Sequence, residues 1–102
     1  PYGVQKRAEI GRALALEPKM LMLDEPISGL TAEEKQETAY LINEIRGRFK
    51  PTILLVEHDL RLASVLADRM VALDSGIKIA EGTPEVVQRN PAVVKAYLGD
   101  DD

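Results

Sequence analysis

Two short apolar segments, MLML at residues 20–23 and TILLV at 52–56, constrain the fold of this chain most. Runs this short and this rich in Leu, Ile and Val are typical of buried parallel strands. The residues between them carry a helical pattern, and parallel strands need such a crossover connection. The sequence therefore predicts a strand–helix–strand unit, with MLML buried on both faces of its sheet.

Helical patterns surround these strands. Apolar residues recur from Val4 to Ala15, which predicts a first helix over residues 3–17 that Pro18 ends. Thr31 has an acidic residue three positions later, Glu34, and this spacing predicts a capping box at the start of a second helix. That helix has a buried stripe of Leu41, Ile42 and Ile45, and we expect it to stop at Gly47.

The second half of the chain predicts a helix, a hairpin and two short terminal helices. Asp59 is a candidate cap for a helix that runs to about Ala67. The strands predicted at 69–74 and 77–82 are separated by Ser75-Gly76, a two-residue hairpin turn. Thr83-Pro84 and Asn90-Pro91 each combine a cap residue with a proline at the first helical position. The order predicts an α/β fold, mainly parallel and closed by an antiparallel hairpin.

Composition limits the functions that the chain can have. Its 102 residues are enough for one small domain, and a net charge of −4 argues against a nucleic-acid partner or an anionic membrane surface. The absence of cysteine excludes disulfides, thiolate metal sites and cysteine nucleophiles within these residues. Any metal chemistry must therefore use oxygen or imidazole ligands.

Polar residues follow both apolar segments at the end where parallel strands usually bind ligands. MLML ends in Asp24-Glu25, and TILLV ends in Glu57-His58-Asp59. Carboxylates at such an edge can hold Mg²⁺ or orient a water, and an imidazole can donate to a phosphoryl oxygen. Acids at strand ends are also common as caps and solubilising groups, and a histidine near a helix start is often a surface residue.

The order of the motifs resembles the second half of the ATPase subunit of ATP-binding cassette (ABC) transporters. PYGVQKR with the following EIGRALA is similar to the signature motif and its helix, and MLMLDEP to the Walker B strand. SGLT stands where the D-loop belongs, and LLVEHD resembles the strand with the switch histidine. The ending KIAEGTPEVVQRNPAVVKAYLG most resembles importers of branched-chain amino acids.

The resemblance implies a partial P-loop ATPase core, with the signature motif and helix at residues 1–17. Residues 18–82 would form the core with its hairpin, and residues 83–102 the terminal helices and tail. Asp24 would hold Mg²⁺, through water, while Glu25 would activate the attacking water and His58 would contact the γ-phosphate. The cofactors implied are ATP and Mg²⁺.

A second group of residues would reach ATP bound to a partner subunit. The signature group is implied to be Pro1, Tyr2, Gly3, Val4 and Gln5, and the D-loop group Ser28, Gly29, Leu30 and Thr31. Pro1 stands where the family usually has a serine, which removes a hydroxyl contact to phosphate. Thr31 likewise replaces the usual aspartate or asparagine. The implied partners are a second ATP-binding subunit and transmembrane permease subunits, at the cytoplasmic face of the membrane.

The phosphate-cradling sequence G-x-x-x-x-G-K followed by Ser or Thr does not occur in these residues. In the family, the strand that carries this P-loop lies between the strands predicted at 52–57 and 69–74. We therefore expect an interrupted sheet and no ATP hydrolysis by these residues alone. One alternative is a non-catalytic module that pairs with a full-length ATPase subunit. The other is a small Mg²⁺-dependent hydrolase that uses Asp24, Glu25 and His58.

Overall fold

The computed structural model describes residues 2 to 98 and divides the chain into two compact units, Pro1–Glu57 and His58–Asp102. Within the described part, no helix has the length and apolar character needed to cross a membrane. The helices are α1 (Tyr2–Leu14), α2 (Ala32–Arg48), α3 (Leu60–Leu66), α4 (Pro84–Arg89) and α5 (Pro91–Val93), with a π-helical segment at Val94–Leu98; the strands are β1 (Met20–Asp24), β2 (Thr52–Val56), β3 (Met70–Asp74) and β4 (Ile77–Gly82).

The first unit is a parallel pair of strands connected through α2. The register of β1 and β2 runs from Met20 opposite Thr52 to Asp24 opposite Val56. The predicted strand–helix–strand arrangement is confirmed, and both strands end at the same edge. The apolar residues buried in this unit come from the helices, from β1 and from the loop after it: Ile10, Leu21, Leu23, Ile27, Leu30, Ala39, Ile42 and Ile45.

The prediction that MLML is buried on both faces was wrong. Burial alternates along β1, with Leu21 and Leu23 buried while Met22 is 70% exposed. The neighbouring strand, β2, shows the same alternation, and Val56 is 51% exposed. Successive side chains of a strand point to opposite faces, so helices that cover one face leave the other open. One face of the β1–β2 sheet is therefore apolar and exposed.

Helix α2 begins as predicted but does not stop at Gly47. Thr31 Oγ1 accepts the Glu34 backbone N–H at 3.1 Å, and Glu34 Oε1 accepts the Thr31 N–H at 3.0 Å, which completes the capping box. The helix continues to Arg48, since one interior glycine costs only about 1 kcal/mol. Beyond the helix the chain turns at Lys50, which has a φ of 55° and precedes Pro51.

Helix α1 ends at Leu14, three residues before the predicted Glu17. Glu17 has a φ of 52° and precedes Pro18, which repeats the pattern of Lys50 and Pro51. A proline disfavours the right-handed helical conformation for the residue before it. The chain therefore turns away one residue before each proline.

The second unit is built around the antiparallel pair of β3 and β4. Ser75 and Gly76 have φ values of 53° and 81°, the positive pair that a tight two-residue hairpin turn requires. The core of this unit contains Leu60, Ala72, Val87 and Val93, and Met70, Ile79, Ala80 and Tyr97 pack against it. The predicted caps of its three helices, Asp59, Thr83 and Asn90, are all confirmed.

The structure thus confirms an α/β fold with a parallel pair and a C-terminal antiparallel hairpin. Among residues 2 to 98 the strands form two separate two-stranded sheets, with β2 in one and β3 in the other.

Thr38 provides a test of packing in α2. Its side chain is fully buried, and its hydroxyl has no hydrogen-bond partner among the described residues. An unsatisfied buried hydroxyl destabilises the folded state by about 1 kcal/mol or more, so Thr38→Val should raise the free energy of unfolding by about 1 kcal/mol. Thr38→Ser is the control, because it keeps the hydroxyl and removes a methyl group. A lower urea midpoint for Thr38→Val than for the unaltered chain would contradict the assignment.

Glu81 provides a test of pH dependence in the second unit. A hydrogen bond from Lys78, at 2.8 Å, and the positive charges of Lys78 and Arg69 lower the pKa of Glu81 below its ordinary 4.5. A lowered folded-state pKa stabilises the fold above pH 4.5, and this contribution is lost as the pH falls through the lowered pKa. The difference in unfolding free energy between the unaltered chain and Glu81→Gln should therefore shrink below about pH 4.5. A difference that stays the same on both sides of pH 4.5 would contradict this assignment.

Candidate functional site

The carboxyl ends of β1 and β2 bring acidic residues to one edge of the parallel sheet. Asp24 is the last residue of β1, lies opposite Val56 and is exposed. The backbone N–H of Glu25 donates to the Val56 carbonyl at 2.7 Å, which extends the pairing beyond the strand. The position of Glu25 is therefore fixed by the sheet itself and does not depend on a free loop.

The backbone of Glu25 is in the left-handed region, with a φ of 49°. This conformation is uncommon for a residue with a side chain and costs of order 1–3 kcal/mol. Pro26, which is buried, follows it and disfavours the right-handed helical alternative. Strain of this kind is concentrated at functional sites.

Glu57 supports the loop that follows β1. Its Oε2 accepts the Ile27 backbone N–H at 3.1 Å, so the first residue after β2 holds the turn after β1. Carboxylate oxygens of Glu57 and Glu25 lie within 4.8 Å of each other. Two like charges this close repel, and a divalent cation or a proton relieves the repulsion. Sequence reasoning placed Glu57 at this edge but assigned it no role.

His58 and Lys6 also lie near this edge, and only His58 was predicted there. His58 is exposed, follows Glu57 directly and is the first residue of the second unit. Lys6, from α1, donates through Nζ to the backbone carbonyl of Glu25 at 3.5 Å, a long hydrogen bond. The same ammonium lies 5.5 Å from the centre of the Tyr2 ring.

The first turn of α1 presents most of the signature-like residues to solvent. Tyr2, Val4 and Gln5 are exposed, whereas Gly3 is buried. The prediction for Pro1 lies outside the described residues. Because the first N–H groups of a helix have no partner within it, this turn can donate to groups outside the helix. The exposed side chains are features that an anionic ligand or a second chain could use.

The D-loop-like residues lie beside this turn. A Cβ on Gly29, whose φ is 78°, would lie 3.4 Å from Cε2 of Tyr2. Ser28 is half-buried, Leu30 is buried, and Thr31 is the exposed cap of α2. The structure therefore brings the two predicted groups together at one end of α1.

Glu34 is the residue whose full role the sequence did not reveal. Its Oε1 completes the capping box, and its other oxygen, Oε2, lies only 2.5 Å from where a Cβ on Gly3 would be. Hydrogen bonds from the backbone and side chain of Thr31 and from the backbone of Gly3, with the charge of Arg7, lower its pKa. The spacing of Thr31 and Glu34 predicted the cap, but nothing in the sequence indicated the contact with Gly3.

The residues of the sheet edge fit a magnesium ion. Asp24 and Glu25 offer hard oxygen ligands, and the proximity of the Glu25 and Glu57 carboxylates is the arrangement that a cation stabilises. ATP fits only in part, because the residues predicted to contact it do not include a phosphate-cradling lysine loop.

Comparison with known proteins identifies the relatives of this chain. A family model described as "Branched-chain amino acid ATP-binding cassette transporter" matches residues 78–102. The high-affinity branched-chain amino acid transport ATP-binding protein LivG from Escherichia coli is 46% identical over 99 residues, which are 97% of this chain and 39% of LivG. BraF from Pseudomonas aeruginosa, with the same description, is 43% identical over the same share of each chain.

Solved structures give the same relationship. The ADP conformation of MJ1267, an ATP-binding cassette of an ABC transporter, matches with a TM-score of 0.82 and 33% identity over 96% of this chain and 40% of that chain. A nucleotide-free ATP-binding cassette from an ABC transporter matches with a TM-score of 0.80. The chain thus spans about two fifths of the length of these relatives. On sequence and fold together, the chain belongs to the ATP-binding cassette (ABC) family.

Proposed function

We propose that this chain forms part of an ATP-hydrolysing subunit that drives solute uptake, with branched-chain amino acids as the favoured solute class. The position of Glu25 carries the proposal, because it is fixed at the carboxyl ends of two parallel strands by its bond to Val56. The descriptions of LivG and BraF support the choice of solute. Solute specificity itself would reside in other subunits.

In this proposal the sheet edge carries out the chemistry of one ATP site. A bound Mg²⁺ would neutralise charge on the phosphates. Asp24, exposed at the end of β1, would hold that ion through water. Glu25 would accept a proton from the attacking water, and Glu57 would keep the loop after β1 in place through Ile27. His58 would donate to the γ-phosphate.

The end of α1 would serve the ATP site of a second subunit. Tyr2, Val4 and Gln5 are exposed, so they are able to meet a ligand held by another chain, and Pro1 would extend this group. Gly3, which has no side chain, would let the backbone come close to that ligand at the amino-terminal end of the helix, which favours anions. The D-loop group would lie along the same surface, with Ser28, Gly29, Leu30 and Thr31 as its members.

The partners of the proposed subunit are a second ATP-binding subunit, as a homo- or heterodimer, and transmembrane permease subunits. It would work at the cytoplasmic face of the cell membrane, and no nucleic-acid partner is proposed. We also propose that residues 1–102 alone do not hydrolyse ATP, because they contain no loop that cradles the β-phosphate.

A non-catalytic interaction module is the second candidate. The observation in its favour is the exposed apolar face of the β1–β2 sheet, which includes Met20, Met22, Leu54 and Val56. Contiguous exposed apolar surface and unpaired strand edges are features of protein-binding sites. The chain would then pair with a full-length ATPase subunit and block its turnover. Loss of ATP turnover by LivG when this chain is added in excess would favour this candidate.

The proposed catalytic role can be tested in a chimera that joins residues 1–102 to the upstream part of E. coli LivG, where we expect the family's phosphate-cradling loop. We expect the chimera to hydrolyse Mg²⁺-ATP and Glu25→Gln to lower the rate by about 10²–10⁴-fold, because the amide cannot accept the proton. Glu44→Gln is the matched control, since this exposed carboxylate of α2 lies away from the sheet edge.

Two outcomes would contradict the proposal. Equal rates for Glu25→Gln and Glu44→Gln would remove Glu25 from the catalytic role. Turnover of Mg²⁺-ATP by residues 1–102 without the LivG segment, if abolished by Glu25→Gln, would show that these residues form a complete site and favour the small hydrolase instead.

A further inference from the structure

The contact between Glu34 and Gly3 links two segments that sequence reasoning treated separately. Glu34 Oε1 accepts the Thr31 backbone N–H at 3.0 Å, and Oε2 of the same carboxylate lies against the Gly3 backbone, where it can accept the Gly3 N–H. Both oxygens of one side chain are thus used, one toward the D-loop-like segment and one toward the first turn of α1. Both contacts are with backbone atoms, so neither depends on a flexible side chain at its other end.

Gly3 has a packing reason to be glycine in this arrangement. A Cβ at this position would lie 2.5 Å from Glu34 Oε2 and 2.8 Å from its carboxyl carbon. Any other residue would displace the carboxylate. The negative charge also lies at the amino-terminal end of α1, where the helix dipole favours it.

A second contact joins α1 and α2 one turn further along. Arg7 lies one helical turn after Gly3, and its Nη1 is 3.3 Å from Oε2 of Glu37, which is three residues after Glu34. Residues three and four apart share one face of a helix. The Gly3–Glu34 and Arg7–Glu37 contacts therefore join the same two helix faces at successive turns.

We propose that Glu34 is a positioning residue that holds the first turn of α1 and residues 28–31 in one fixed arrangement. The inference rests on the proposed function, in which both segments contact ATP bound to a partner subunit. The capping box accounts for only one of the two oxygens of Glu34. The second oxygen sets the position of Gly3, so the two segments approach a ligand as one surface.

Glu34→Gln separates the positioning role from helix capping. Glutamine at this position can still complete a capping box through its single side-chain oxygen. Its amide NH₂ then faces the Gly3 N–H, and a donor cannot accept from a donor. If the amide is turned the other way, the cap is lost instead. Glu33→Gln is the matched control, because it removes the same charge from the same helical turn at an exposed position.

The first measurement is amide hydrogen exchange at Gly3, by NMR of residues 1–102 labelled with ¹⁵N-glycine. Glu34→Gln should speed exchange of this amide about tenfold, while Glu33→Gln leaves it unchanged, because only the former removes the acceptor. Gly11, Gly47, Gly76 and Gly82, which lie outside both segments, provide internal references. Equal exchange at Gly3 in the unaltered chain and in Glu34→Gln would overturn the proposal.

The second measurement is ATP turnover by the LivG chimera. Glu34→Gln should lower kcat about tenfold and leave KM for ATP within about twofold, because misplaced groups slow the reaction even where substrate binding is kept. Gly3→Ala displaces the same carboxylate. It should therefore lower kcat by a smaller factor in the Glu34→Ala background than in the unaltered chimera. Faster exchange at Gly3 with unchanged kcat would disprove the positioning role.

Failure of this inference is distinct from failure of the proposed function. If Glu25→Gln does not affect turnover, the proposed function fails, and the exchange rate of Gly3 still decides whether Glu34 holds it. If Glu25→Gln abolishes turnover and Glu34→Gln has no effect on kcat, the proposed function stands and the positioning role is wrong.

Discussion

The hydrogen bond from the Glu25 N–H to the Val56 carbonyl is the interaction on which the candidate site depends. It adds one more pair to the parallel ladder of β1 and β2, at the point where apolar residues give way to acidic ones. Without the pairing of these strands, Asp24-Glu25 and Glu57 would belong to unrelated loops. With it, residues separated by 30 or more positions share one edge, and Glu57 can hold the turn at Ile27. The site is thus a consequence of strand register.

The second organising contact is made between helices. Glu34 connects the start of α2 to the start of α1, so the residue that completes the cap of α2 also contacts the first turn of α1. Arg7 and Glu37 repeat the connection one turn further along. Sheet pairing positions the acidic residues and helix pairing positions the exposed turn of α1, and both arrangements lie within the first unit. In the proposed function, the first arrangement serves this subunit's own site and the second serves its partner's.

The elements of the fold could be predicted largely because their signals are local. Cap residues at Thr31, Asp59 and Thr83 and the turn at Ser75-Gly76 act within a few positions of themselves, and the structure has each where the sequence put it. The predicted end of α2 at Gly47 was wrong because a glycine is also tolerated inside a long helix. The burial of MLML was overestimated since the pattern of a strand does not say how many layers cover its sheet.

The long-range contacts could not be predicted from spacing. The acidic edge was expected from the rule that parallel strands end together, and it requires only that β1 and β2 be neighbours. The meeting of Glu34 with Gly3 requires a particular packing of two helices, which no local motif encodes. The hydrogen bond from Glu57 to the Ile27 amide is of the same kind. Predictability therefore follows sequence separation more closely than functional importance.

The left-handed backbone of Glu25 restricts which residues could ever replace it. Branched residues such as valine, isoleucine or threonine are excluded there by φ alone, whatever chemistry they offer. Asparagine and aspartate tolerate the conformation best among residues with side chains, and aspartate would keep the charge on a shorter arm. In the proposed function, backbone geometry and proton transfer would act as two independent constraints on one position. The set of amino acids acceptable at residue 25 would then be narrower than either constraint alone would allow.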